Sequence, residues 1–277
     1  VGSGGVGDVH KAQARFRSGP RPRDAWLSHT ARCVLAHPRP IGWTVGEQFG
    51  PMGADGSNQE AGRRVTALTA PRYRLVIFDL DGTLADSYPW FLQNLHGVLE
   101  RFGLTSVSDT DIERLRGAGP REILDHLGVR RWKLPMIARH IRRLKSEHIA
   151  AIPLFQGVDE LLQALRARGI TLAMVSSDDE RNVRQALGSR NASLFAHYAC
   201  SASMFGKARK FRRVLRSAGV GPAETLCIGD EIRDLEAARE VGVAFGAVSW
   251  GYTSPDALEA RAPDALFTSM PDILKAI

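Results

Sequence analysis

No run of eighteen or more apolar residues occurs in the sequence, which excludes a membrane-spanning helix on hydropathy. No basic segment followed by a short apolar one opens it either, so a cytoplasmic protein without a secretory leader is expected. Cysteine is scarce. Cys33, Cys200 and Cys227 are far apart and form no CxxC pair, so buried, reduced thiols are expected rather than a disulfide framework or a zinc site. His96, His126, His140 and His148 lack the HExxH spacing of a metal site. A concentrated positive charge is also missing. The formal net charge is +7, but residues 1–70 hold nine Lys/Arg against five Asp/Glu, leaving only +3 for the other 207 residues. A nucleic-acid partner is therefore not expected.

What is present is enough for a sizeable core: 277 residues, 44% of them hydrophobic, suit one large domain or two modest ones. Residues 1–70 carry eleven Gly and five Pro with no period of 2 or 3.6, and read as a disordered or loosely ordered extension. Within it, residues 2–9 (GSGGVGDV) match the glycine-rich loop of kinases and, loosely, a dinucleotide fingerprint. No strand can precede a motif that starts at residue 2, and no VAIK, HRD or DFG follows, so a tail segment is the better reading.

Order begins at residues 75–84, LVIFDLDGTL. The β-branched and aromatic run without helical period predicts a buried parallel strand, and Asp79 and Asp81 fall at its carboxyl end, where open α/β sheets bind ligands. Aspartates two apart on an extended segment face opposite sides, but a turn at Gly82 allows both to reach one pocket. Two acids held together at such an edge call for a cation or a substrate.

A helical stretch follows. Asp86 or Ser87 is placed to cap a helix carrying Phe91, Leu95, Val98, Leu99 and Phe102 on one face, with Gly103 as its stop. Amphipathic pieces at 109–116 and 120–127 and a basic one at 134–150 come next, and an insertion of this size reads as a small lid domain. Arg139, Arg142, Arg143 and Lys145 read as a solvated face. Arg116 and Arg121 flank a Gly-rich turn and are either contacts to a bound anion or surface salt-bridge partners.

The remainder alternates helix and strand, the pattern of right-handed βαβ units and a parallel α/β sheet. A helix at 157–169 precedes a strand at 170–175 that ends on Ser176-Ser177-Asp178-Asp179, level with Asp79. A hydroxyl there, with the amides opening the helix at 179–187, can donate to a phosphate; a simple helix cap is the commoner use of such serines. Gly206-Lys207 opens a basic amphipathic helix in which Lys210 reads as a surface residue. The strand TLCIG then ends on Asp230 with Asp234 four residues on, one turn apart on one face if a helix starts there, while Gly229 permits a tight turn.

Taken in order, Asp79-x-Asp81-Gly-Thr-Leu, Ser176, Lys207 and Gly229-Asp230-x-x-x-Asp234 resemble the four motifs of the haloacid dehalogenase superfamily, over about residues 72–277. Lys207 precedes Asp230 by 23 positions and Lys210 by 20; the family's spacing and the Gly-Lys opening favour Lys207. The resemblance implies a Rossmann-like parallel sheet flanked by helices (residues 71–85 and 153–277) and a small all-helical cap (86–152). It implies a Mg²⁺-dependent phosphatase of a small phosphorylated metabolite, nearest in look to phosphoglycolate phosphatases, with a phosphomutase or a catalytically silent binding protein as the alternatives. By the same resemblance Asp79 is the nucleophile and a metal ligand with Asp230 and Asp234. Asp81 is the general acid and base, reaching the metal by its backbone carbonyl. Ser176 and Lys207 hold the phosphoryl group, with Ser177, Arg116 and Arg121 as further substrate contacts. Ser177 stands where many members have Asn.

Overall fold

The computed structural model describes residues 72–200 and 206–277. The extension read at 1–70, its glycine-rich match and Cys33 lie outside the described residues. Six strands form one parallel sheet: β1 Leu75–Phe78, β2 Thr171–Met174, β3 Phe195–Tyr198, β4 Thr225–Gly229, β5 Ala244–Val248 and β6 Ala265–Phe267. Their order is β3-β2-β1-β4-β5-β6. The chain grows outward from β1 on one side and from β4 on the other. The carboxyl ends of β1 and β4 therefore flank the switch point, where a crevice opens in sheets of this kind.

Strand β1 sits at the middle of the sheet and is fully buried, as its uninterrupted apolar run requires. Val76 and Phe78 enter one core layer with Leu165, Met174 and Ile228; Leu75 and Ile77 enter the other with Phe211, Val214 and Phe245. This alternation is the period of two expected of a strand covered on both faces. The edge strands β3 and β6 are short and half exposed, which leaves little hydrophobic pattern to read in advance.

Between β1 and β2 lie α1 Tyr88–Phe102, α2 Asp109–Leu115, α3 Pro120–His126, α4 Leu134–His148 and then α5 Val158–Ala167. Helix α1 ends at Gly103 in the left-handed conformation (φ +56°), and Leu95, Val98 and Leu99 form its buried face. Ser108 caps α2 reciprocally with Asp111. The first three helices enclose their own small cluster of Leu95, Leu99, Val107 and Leu115. The rest of the chain supplies α6 Glu180–Ala192, α7 Lys207–Ala218, α8 Ile232–Val241, α9 Pro255–Glu259 and α10 Met270–Ala276. No described helix is long and apolar enough to cross a membrane.

Candidate active site

The chain follows the sheet one residue beyond β1, with the Asp79 amide donating to the Ile228 carbonyl at 3.0 Å. It then folds over on itself: the Leu80 carbonyl accepts from the amides of Thr83, Leu84 and Ala85. Gly82 has φ +73°, and a Cβ there would stand 2.3 Å from Asp230 Oδ2 and 2.6 Å from the Tyr252 ring. Glycine is required both for the turn and for the close approach of Asp230.

Asp79, Asp230 and Asp234 are buried and each presents a carboxylate oxygen within 4.8 Å of the others. The expectation that Asp230 and Asp234 share a helix face is not met. Asp230 lies in the turn after β4, Glu231 is extended, and α8 begins at Ile232. The two acids meet because the turn folds back. Gly229 serves that approach, not a left-handed turn: a Cβ on it would lie 2.6 Å from Asp234 Oδ2.

Lys207 Nζ lies 2.8 Å from Asp79 Oδ2 and also pairs with Asp234. Burial would raise the Asp79 carboxyl, but the Lys207 and Arg233 charges overcome it and hold the group below its ordinary range. Among the described residues no cation pairs with Asp230. Burial first, then the charges of Glu231, Asp79 and Asp234, push it well above the ordinary range, although Thr83 Oγ1 (2.7 Å) and the Tyr252 amide (2.8 Å) donate to it. Asp234 is raised to about 7 by burial, which Lys207 opposes and Asp79 reinforces.

Three buried carboxylates this close fit a hard divalent cation such as Mg²⁺, and Asp234 also carries a buried Oδ2 with no hydrogen-bond partner among the described residues. The crowding carries a measurable cost. An acid raised on folding weakens the fold as pH climbs above its ordinary value of 3.8 toward the raised one. Metal-free Asp230→Asn is therefore expected to melt higher than the parent at pH 8, by about 2–4 °C per kcal/mol of relieved repulsion, with the gap closing toward pH 4. Added Mg²⁺ should raise the melting temperature of the parent and not of the variant. Thermal melts at both pH values, with chelator or Mg²⁺, check this.

Ser176 is buried at the end of β2, its Oγ accepting from the Asp178 amide at 3.0 Å. Of the amides near this helix start, that of Asp179 donates to Asp178 Oδ1 and that of Asn182 to Asp179 Oδ1. Ser177 Oγ takes a long 3.5 Å contact from Arg233.

Two lysines correct the sequence reading. Lys210 is not a surface residue. It lies one turn from Lys207 on the buried face of α7 and donates to the Ser176 carbonyl at 2.6 Å. Burial and the Lys207 charge lower it to about 8. Lys145 does not belong to the solvated face of α4: it is 4% exposed, and its Nζ donates to both Asp81 oxygens (2.6 and 2.8 Å) and to Asp178 Oδ2 (2.9 Å). Although burial opposes it, these two acids push Lys145 up to about 12. A signal existed, since Lys145 falls four residues after Ile141 and eight after Ile137, on the apolar stripe. Asp81 is thereby turned to Lys145, and its side chain is not among the three clustered carboxylates.

Arg116 reaches the core: its Nε and Nη2 donate to the carbonyls of Tyr252 and Gly251 at 3.1 Å each, Nη1 meets Glu113, and the guanidinium lies over the Tyr88 ring. Arg121 is exposed on a groove it shares with Lys207, Gly206 and Arg233. The loop after β5, unremarked in the sequence, supplies Tyr252 to Asp230, and Trp250 Nε1 to the Thr83 carbonyl at 3.2 Å.

Residues 76–248 match the family described as haloacid dehalogenase-like hydrolase. A phosphoglycolate phosphatase of Synechococcus elongatus is 32% identical over 203 residues, covering 73% of this chain and 96% of its own. A 5'-nucleotidase of Pseudomonas aeruginosa is 29% identical over 205 residues, covering 70% and 90%. Among solved structures, a haloacid dehalogenase-like hydrolase of Streptococcus pneumoniae superposes with a TM-score of 0.62 at 22% identity, over 74% of this chain and 98% of the other, and so shares its fold.

Proposed function

The chain belongs to the haloacid dehalogenase-like hydrolases, and from that premise we propose that it is a Mg²⁺-dependent phosphatase that hydrolyses a small phosphate monoester through an aspartyl-phosphate. One observation carries the reading: at the switch point of the sheet a buried Asp79, held anionic by Lys207 and Arg233, stands beside two further buried carboxylates. The names of the similar proteins, a phosphoglycolate phosphatase and a 5'-nucleotidase, agree with phosphate ester chemistry.

In this reading an Asp79 oxygen attacks phosphorus, the ester P–O bond breaks, and the departing alcohol oxygen takes a proton from Asp81. Asp81, now anionic, then accepts a proton from the water that attacks the phosphorus of the aspartyl-phosphate, returning Asp79 and releasing phosphate. Ser176 Oγ already accepts from the Asp178 amide, so its own proton is directed outward to a phosphoryl oxygen. Lys207 neutralises charge on the transferring group, and Arg121 and Ser177 add contacts from the rim. The side chains of Asp79, Asp230 and Asp234 and the Asp81 carbonyl would hold Mg²⁺, which when bound supplies the positive charge that lets the acids share the site with a phosphate dianion. We read the insertion at about 86–152 as a cap, with Arg116 fastening its turn to the 251–252 loop.

The test is phosphate release from a panel of small phosphate monoesters. Chelation is expected to lower release at least tenfold, with recovery on adding Mg²⁺. Release that is indifferent to chelator and metal on every ester would overturn the metal dependence.

A further inference from the structure

A cavity of about 160 Å³ lies between the helical insertion and the sheet edge, with Tyr88, Leu95, Leu115, Ile123, Arg233 and Tyr252 in its wall. Its position is fixed relative to the acid cluster. Tyr252 donates its amide to Asp230, Arg233 stands three residues beyond that acid, and the Tyr252 hydroxyl meets Ser87, six residues after Asp81. The lining is overwhelmingly apolar, and the stretch 88–127 contributes eleven of its sixteen residues. An apolar cavity of about 150 Å³ is known in another protein to take a benzene ring.

Its polar groups are few. Tyr88 Oη and Arg233 Nε are fully buried without a hydrogen-bond partner among the described residues, so neither polar atom opens onto the cavity surface. The remaining cation in the wall, Arg116, has Nε, Nη1 and Nη2 each engaged by a carbonyl or by Glu113. A carboxylate entering here would be desolvated among apolar side chains, would meet the Glu231 acid in the same wall, and would find both guanidiniums already paired, Arg116 with Glu113 and Arg233 with Glu231.

We infer that this cavity receives the leaving group of the substrate, and that the preferred substrate is a phosphate monoester of an alcohol bearing one apolar ring, not of a short hydroxy acid. This rests on the phosphatase reading and narrows its substrate class. The chain would then differ in preference from the phosphoglycolate phosphatase it resembles, since glycolate is two carbons and a carboxylate.

Three esters whose alcohols leave with comparable difficulty make the test: benzyl phosphate, ethyl phosphate and 2-phosphoglycolate, with Mg²⁺ present. For the parent protein kcat/KM for benzyl phosphate is expected to exceed each of the others at least tenfold. Ala118 also lines the cavity; Ala118→Phe should fill it and bring the benzyl-to-ethyl ratio to within about threefold of unity, while the parent ratio needs no variant to be read. Turnover of ethyl phosphate or 2-phosphoglycolate at least as efficient as that of benzyl phosphate overturns the inference and leaves the phosphatase reading standing. An unchanged ratio in a folded Ala118→Phe does the same. Release from none of the three overturns the inference, and the wider ester panel then decides the phosphatase reading separately.

Discussion

Asp79→Asn is expected to reduce phosphate release at least about 10⁴-fold, the scale on which loss of a covalent nucleophile is felt. The substitution keeps shape and volume and removes only the charge and nucleophilicity of one oxygen. Its effect on folding should be small by comparison. Asp79 is depressed below its ordinary value, so it stabilises the fold above that value and the contribution disappears as pH falls through the depressed one; at pH 7 the variant loses it. Against this, Lys207 keeps Asp234 as a partner, and removing one of three clustered acids relieves repulsion on Asp230. Circular dichroism and melting should therefore report a folded protein while phosphate release collapses. Undiminished turnover in that folded variant would remove Asp79 from the chemistry.

Lys145→Met is expected to act on both stability and rate. Lys145 and Asp178 are 4% and 3% exposed, and removing one member of a buried pair leaves an uncompensated charge that costs about 3–5 kcal/mol. For a domain of this size that corresponds to a fall of roughly 10 °C in melting temperature. Asp81 loses the donor that grips both its oxygens, and a catalytic group left free to rotate by about an ångström costs on the order of 10² in kcat. In the proposed mechanism Lys145 would therefore position Asp81 without touching substrate. Adding Asp178→Asn to Lys145→Met separates the two effects: melting temperature should recover by several degrees because the stranded charge is gone, whereas kcat should stay low. If kcat recovers together with stability, the role of Lys145 is structural alone.

Lys145 also marks where sequence reading stopped. It was legible as one cation in a basic helix, and its position on the apolar stripe hinted at burial. Its partner lies 64 positions away, across the junction between the insertion and the core, and no periodicity within α4 can report that. Lys210 is similar: charge on a helix is by default solvated, and only the docking of α7 against the end of β2 brings it to the Ser176 carbonyl. At Gly229 the turn after β4 is legible in the sequence, whereas the close approach by Asp234 is invisible until both backbones are placed.

The sequence by itself determined the parallel α/β architecture and the order of the positions proposed for the chemistry: Asp79, Asp81, Ser176, Lys207, Asp230 and Asp234. These follow strands or open helices, where apolar runs, glycine and capping residues are local signals. Tertiary structure alone decided which of them touch. It brought Thr83 and Tyr252 onto Asp230 over separations of 147 and 22 residues, turned Asp81 to a lysine of the insertion, and shaped an apolar cavity between parts that are distant in the chain. The physical reason is that backbone hydrogen bonding and hydrophobic period act over a few residues. Side-chain pairing and cavity shape depend on how separately formed elements dock.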